Sequence, residues 1–203
     1  MQESRRERKK QQTKRLLMDT AIKLFGEQGY EQTTVAQIAE AADVSTKTFF
    51  NYFPSKEDVL FADSGRGDAI PLEVIASRRP GEPIAELLLR AYEAMKADYL
   101  RNGIGPHGRE AMATYIDLIR TVPALQARAL HNAFRIQREM AVALAEAYPD
   151  ELDPISAAAV IGSFAGATQA AALKSIELDQ PEDQFWKAMH RAVDIALHGP
   201  PQP

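Results

Sequence analysis

The 203-residue chain contains no cysteine, which excludes disulfides, thiolate metal sites and a cysteine nucleophile. That absence also fits a reducing cytoplasm, where the protein is expected to reside. There is no twenty-residue run apolar enough to suggest a membrane span. Nor does a basic start lead into an apolar stretch and a small-residue cleavage site, so neither export nor a membrane partner is expected. Strand-type alternation is missing throughout. A Gly-rich phosphate loop, a nucleophile elbow and a His-Glu-x-x-His pair are missing too. Glu110, Asp117, His107 and Tyr115 are acid–base groups that no spacing ties together. Enzyme activity, a catalytic residue, a cofactor and a metal are therefore not expected.

What is present is ordinary for a globular protein, with 45% apolar and 26% charged residues, and the length accommodates two unequal pieces. The net charge of -4 is unevenly placed. Residues 1–15 carry seven bases (Arg5, Arg6, Arg8, Lys9, Lys10, Lys14 and Arg15) against Glu3 and Glu7, a net of +5. Residues 61–203 hold 14 bases and 19 acids, a net of -5. A basic arm ahead of an acidic body suits a protein that touches phosphate with one end only.

Apolar residues recur at helical spacing almost everywhere, so the expected fold is all-α with about nine helices. In the first helix Leu17, Ala21 and Leu24 form one stripe and Met18, Ile22 and Phe25 a second, with Gly26 and Gly29 ending it. Thr34 caps the second helix, with Gln37 three residues on in a capping box; Val35, Ile38, Ala39 and Ala42 form its inner stripe. Asp43 to Ser45 interrupts the pattern, and Ser45 caps a short third helix through Tyr52. Phe49 and Phe53 are expected in the core. After Phe53-Pro54-Ser55, Ser55 caps a fourth helix beginning at Lys56. Further breaks fall at Gly65 to Gly67, Arg78 to Pro83, Asn102 to Gly108, Val122-Pro123, Tyr148 to Pro154 and Asp179 to Pro181.

Two helices joined by a three-residue break, with apolar inner faces, make a helix-turn-helix. The exposed first turn of its second helix is crowded with Thr46, Lys47 and Thr48, short hydroxyls and an amine suited to base edges in a major groove. The run from Thr33 to Ala39 and on from Val44 to Glu57 resembles the TetR regulators, and the likeness covers roughly residues 13–62, including Ala21, Phe25, Gly29 and Tyr30. It implies DNA contacts at Thr34, Thr46, Lys47, Thr48, Tyr52 and Lys56, mostly to phosphates, with Lys47 and Thr46 reading bases. Ser45 and Asn51 complete the candidate set. Phe50 stands where the family often has a tyrosine.

The expected domains are thus residues 1–54, the basic arm and a three-helix DNA-binding unit, and residues 55–203, a helical bundle for sensing and dimerisation. A homodimer on a palindromic operator is expected, because one such motif covers only a half-site. Gly162, Gly166 and Ala170, four apart, with Leu173 and with Trp186, Met189 and Val193 of the last helix, are the candidate dimer face; Ile161, Phe164 and Ile176 would pack around it. The resemblance places a small-molecule effector site in the middle helices. Tyr92, Met95, Tyr99, Met112, Tyr115, Ile119, Phe134 and Arg135 are its candidate lining, and so apolar a set suits a largely apolar effector that releases a repressor from DNA. The fourth helix, starting beside DNA at Lys56, is the expected lever.

Overall fold

The computed structural model describes residues 5–61, 64–102 and 108–200, with side chains throughout except at 64–66, 102 and 108–113. Among these residues the chain is all-helical, with no strand. The helices are α1 (Arg5–Gln28), α2 (Val35–Ala41), α3 (Thr46–Tyr52), α4 (Ser64–Ala76), α5 (Ile84–Asn102), α6 (Gly108–Thr121), α7 (Pro123–Ala147), α8 (Pro154–Glu177) and α9 (Glu182–His198). A 3-10 turn, Glu57–Val59, lies between α3 and α4. Packing divides the chain into two units, Met1–Gly65 with Asn102–Ala129, and Arg66–Arg101 with Leu130–Pro203.

In the first unit, α1 buries Leu17, Met18, Ala21, Ile22 and Phe25. Gly26 does not end this helix; the chain leaves it at Gly29, whose φ of 87° suits a residue without Cβ. The α1 stripe packs with Ile38 and Ala39 of α2, Phe49 and Phe53, Val59 and Leu60. Leu118 of α6 and Leu125 of α7 join the same core. The first unit therefore extends beyond the expected boundary at residue 54, taking in the 3-10 turn, α6 and the start of α7 by packing.

In the second unit, Leu87, Leu88 and Tyr92 of α5 pack with Met140, Leu144, Tyr148, Ile161, Phe164 and Val193. Gly67 does not break the chain; it lies inside α4, which also contains Pro71. Ile75 of α4 is buried in this core, with Leu72 and Val74 against it; packing outweighs the lost proline N–H there. Asp153 caps α8, its carboxylate accepting from the amides of Ile155 at 2.8 Å and Ser156 at 3.1 Å, with Pro154 in the first helical position. Alone among the described helices, α8 is long and apolar enough to cross a membrane. Its inner side, Ala157, Ile161 and Phe164, is committed to the core of this unit.

A charged clamp fixes the link between α4 and α5. Glu82, only 8% exposed, receives both Nε and Nη2 of Arg90 at 2.9 Å and the Arg79 amide at 2.8 Å. The Tyr148 hydroxyl donates to the Glu82 carbonyl at 2.7 Å, and Arg78 lies over the Tyr148 ring. Hydrogen bonds from Arg90 and from the Arg79 amide hold the Glu82 carboxyl at about 2, against an ordinary 4.5. A depressed folded-state value stabilises the fold above the ordinary value and is lost as pH falls through the depressed one. Acid unfolding between pH 4.5 and about 2 is therefore expected to be steeper in the native chain than in Glu82→Gln, as circular dichroism followed against pH would register. Parallel acid profiles for the two proteins would contradict the clamp.

Candidate nucleic-acid interface

Local chemistry builds the α2–turn–α3 element. Thr34 and Gln37 form a reciprocal capping box, the Gln37 amide donating to Thr34 Oγ1 at 3.2 Å and the Thr34 amide to Gln37 Oε1 at 2.7 Å. At the end of α2 the Val44 amide reaches the Ala39 carbonyl at 2.9 Å and the Asp43 amide the Glu40 carbonyl at 3.0 Å. This is a Schellman closure, and Asp43 fills its left-handed position at φ 53°, one of the few side chains that tolerates it. Ser45 then caps α3, accepting from the Thr48 amide at 3.1 Å while its hydroxyl meets Thr48 Oγ1 at 2.9 Å.

The inner side of α3 carries Phe49 and Phe53, 0% and 2% exposed, with ring centroids 5.5 Å apart. Residues on the opposite side follow from the helical period: Thr46, Lys47, Phe50 and Asn51 are all exposed. Thr48 and Tyr52 sit at the flanks, half-buried, and Tyr52 packs against the core. Thr34 and Ser45 are exposed but already serve as caps.

Lys56 sits differently from its expected place at the start of a fourth helix. The chain forms only the 3-10 turn there, whose first amide bond goes to Ser55 Oγ from Asp58 at 3.3 Å. The Lys56 ammonium donates to the carbonyls of Tyr30 at 2.7 Å and Thr33 at 3.1 Å and lies 3.9 Å above the Tyr30 ring. Tyr30 in turn donates to Glu57 at 2.6 Å. Burial and that carboxylate push the Tyr30 hydroxyl up. For Glu57, burial opposes ionisation, yet the Tyr30 hydrogen bond and the backbone and Ser55 hydrogen bonds bring the carboxyl below its ordinary value. Lys56 thus ties the end of α1 to the segment after α3, two of its three ammonium hydrogens going to the carbonyls. Sequence spacing gives no signal for this knot, because its partners are backbone carbonyls 23 and 26 residues away.

The remaining candidates scatter. Tyr115 and Ile119 pack against the first unit's core, Tyr115 edge-on to Phe61. In the second unit Tyr92 is buried, Met95 is exposed, and Tyr99 stacks edge-on to Trp186 at 5.2 Å. Phe134 is 69% exposed, and Arg135 is paired with Asp68 and Glu139. The Met112 side chain lies outside the described residues. On α8, Gly162, Gly166, Ala170 and Leu173 are exposed. Ile161 and Phe164, expected around that stripe, instead face the core, and Ile176 is half-buried. Val193 is also a correction: it is 0% exposed inside its own unit, so it supports α9 from within and presents nothing to a partner. Met189 is half-buried against the same core.

Residues 17–62 match the sequence pattern of the TetR family of bacterial regulatory proteins. The HTH-type transcriptional regulator TcmR of Streptomyces glaucescens is 34% identical over 150 residues, 73% of this chain and 66% of that protein. The chain thus spans about two thirds of that relative's length. Among solved structures, a TetR-family transcriptional regulator of Mesorhizobium loti shares the fold with a TM-score of 0.60 at 15% identity, over 96% of this chain and 98% of that one. The TetR-family repressor FadR of Thermus thermophilus, in complex with lauroyl-CoA, does so with a TM-score of 0.56 at 21% identity, over 94% and 98%. With an outward-facing α3, an all-helical fold shared along nearly its whole length and the match over its helix-turn-helix, the chain belongs to the TetR family of bacterial regulatory proteins.

Proposed function

We propose that this protein is a cytoplasmic, ligand-responsive repressor that binds a palindromic operator as a homodimer and is released by a small, largely apolar effector. The outer face of α3 carries the reading: Thr46, Lys47, Phe50 and Asn51 are exposed together, while Phe49 and Phe53 anchor the helix from beneath. Such a face offers hydroxyl, amine, amide and phenyl groups to base edges. Tyr52 and Lys56 would donate to phosphates, and Thr34 would do so only on giving up its own hydrogen bonds to Gln37. The exposed cations Arg5, Arg6, Arg8, Lys9 and Lys10 on the first turns of α1 add sequence-independent attraction.

Two copies are needed to read two half-sites. The outer stripe of α8 supports the pairing. A Cβ placed on Gly162 or Gly166 meets nothing within 4 Å, so a second backbone has room to approach closely. Helical glycine costs up to about 1 kcal/mol relative to alanine, which such an approach offsets. Ile155 and Leu173, both exposed, lie on the same helix.

For the effector, Tyr92 is the best-supported anchor. Its hydroxyl is buried without a hydrogen-bond partner among the described residues, a cost of about 1–3 kcal/mol that a ligand acceptor would relieve. Burial pushes that hydroxyl up to about 12, so it remains a donor at neutral pH. Arg135, held by two carboxylates, is less available. FadR, which shares the fold, holds lauroyl-CoA, a ligand with a long apolar tail. Effector binding would favour a spacing of the two α3 helices that no longer fits the operator.

Fluorescence anisotropy on a panel of duplexes, repeated across salt concentrations, separates the roles. Lys47→Ala is expected to change the ranking of operator variants. Lys56→Ala should weaken all of them alike and also lower thermal stability, by about 1–3 kcal/mol for the two carbonyls left without their donor. Equal losses on every duplex for both variants, with unchanged melting, would refute the assignment. In sedimentation, Gly166→Leu should convert a dimer into a folded monomer, since its side chain occupies the close approach; an unaltered dimer mass would remove α8 from the interface.

A further inference from the structure

We propose that Phe50 is the thymine-reading residue of this protein, making van der Waals contact with a C5-methyl group in the operator's major groove. The inference rests on the DNA-binding reading above and assigns the chemistry of one position within it. Phe50 is 54% exposed, whereas Phe49 beside it on α3 and Phe53 at the helix's C-cap are buried. Among the described residues its ring pairs with Phe49, edge-on at 5.6 Å and 86°, and more than half of the side chain stays open to solvent. Its neighbours on the exposed face are Thr46 one turn before it, Lys47 three residues before it and Asn51 beside it. Those three can donate to or accept from bases; Phe50 can do neither.

An apolar ring set among hydrogen-bonding groups has one complementary feature on a base-pair edge. In the major groove the base edges present donors, acceptors, the bare C5–H of cytosine and one protruding apolar group, the C5-methyl of thymine, which alone offers a carbon surface for a phenyl ring to cover. Against N7, O6 or O4 the phenyl would strip water from a polar atom and return no hydrogen bond, whereas against the methyl both surfaces leave water together. A phosphate would be equally mismatched, because Phe50 has no hydroxyl to offer it. The position therefore selects thymine through its methyl group, and does so separately from the polar readout of Lys47 and Thr46.

Replacing thymidine by deoxyuridine removes that methyl and alters no hydrogen bond, so the test needs no change to the protein. An operator is first selected from random duplexes with the full chain, then resynthesised with deoxyuridine at one thymine at a time, and affinities are measured at fixed salt. Native protein should lose about fourfold at one thymine per half-site, the factor expected for one methyl group no longer buried. Phe50→Ala, whose fold is checked by thermal melting, should bind the thymine and uracil forms of that site equally. Indifference of the native chain to every uracil substitution would overturn the proposal while leaving the regulator reading intact. So would a uracil penalty that survives in Phe50→Ala, which would assign the methyl contact to another side chain. Failure to select any duplex would instead sink the DNA-binding reading itself.

Discussion

Burial of Phe49 and Phe53 decides which side of α3 meets the solvent, and the functional reading follows from that choice. With both rings enclosed by the core of the first unit, the helical period leaves Thr46, Lys47, Phe50 and Asn51 on the outside. The Ser45 cap fixes where the helix starts, and Asp43 in its left-handed turn fixes the angle at which the chain enters it. A helix of seven residues has little intrinsic stability. Its caps and two buried rings are what hold it as a rigid reading head. The Lys56–Tyr30–Glu57 knot ties the end of α1 to the segment after α3 in the same unit, which makes Lys56 a structural tie as well as a candidate phosphate contact.

Elements specified by neighbouring residues were legible in the sequence. The Thr34–Gln37 box, the Ser45 cap and the Asp153–Pro154 start each depend on side chains within three residues of the amides they satisfy. The inward Phe49 and Phe53 were legible from their spacing of four. Elements specified by distant packing were not. Gly26 and Gly67 look like breaks, yet both lie within helices, Gly67 in a helix whose far end is seated on the second core. Ile161, Phe164 and Val193 share the periodicity expected of an interface but turn inward, because periodicity records that a face is covered and not by what. The expected helix start at Lys56 gave way to a 3-10 turn with the ammonium drawn onto two carbonyls.

The second unit shows the complementary pattern. Its charged clamp pairs the buried Glu82 carboxylate with Arg90 and the Arg79 amide, whereas the Tyr92 hydroxyl and Arg78 Nε lie buried without a hydrogen-bond partner among the described residues. Satisfied networks rigidify a fold, and unsatisfied groups mark where a ligand gains most by binding. Within α5, Arg90 is thus firmly paired while Tyr92, two residues on, keeps a buried hydroxyl without a partner among the described residues.

Because the chain has no cysteine, a single one can be introduced without ambiguity. Asn51→Cys, on the exposed face of α3, coupled to an iron–EDTA cleavage reagent, reports which strand positions lie beside it in the complex with its selected operator. The account predicts cuts confined to each half-site, flanking the major groove that α3 enters. Cleavage no stronger than that from a cysteine placed at Glu177 on α8, or spread evenly along the duplex, would contradict it.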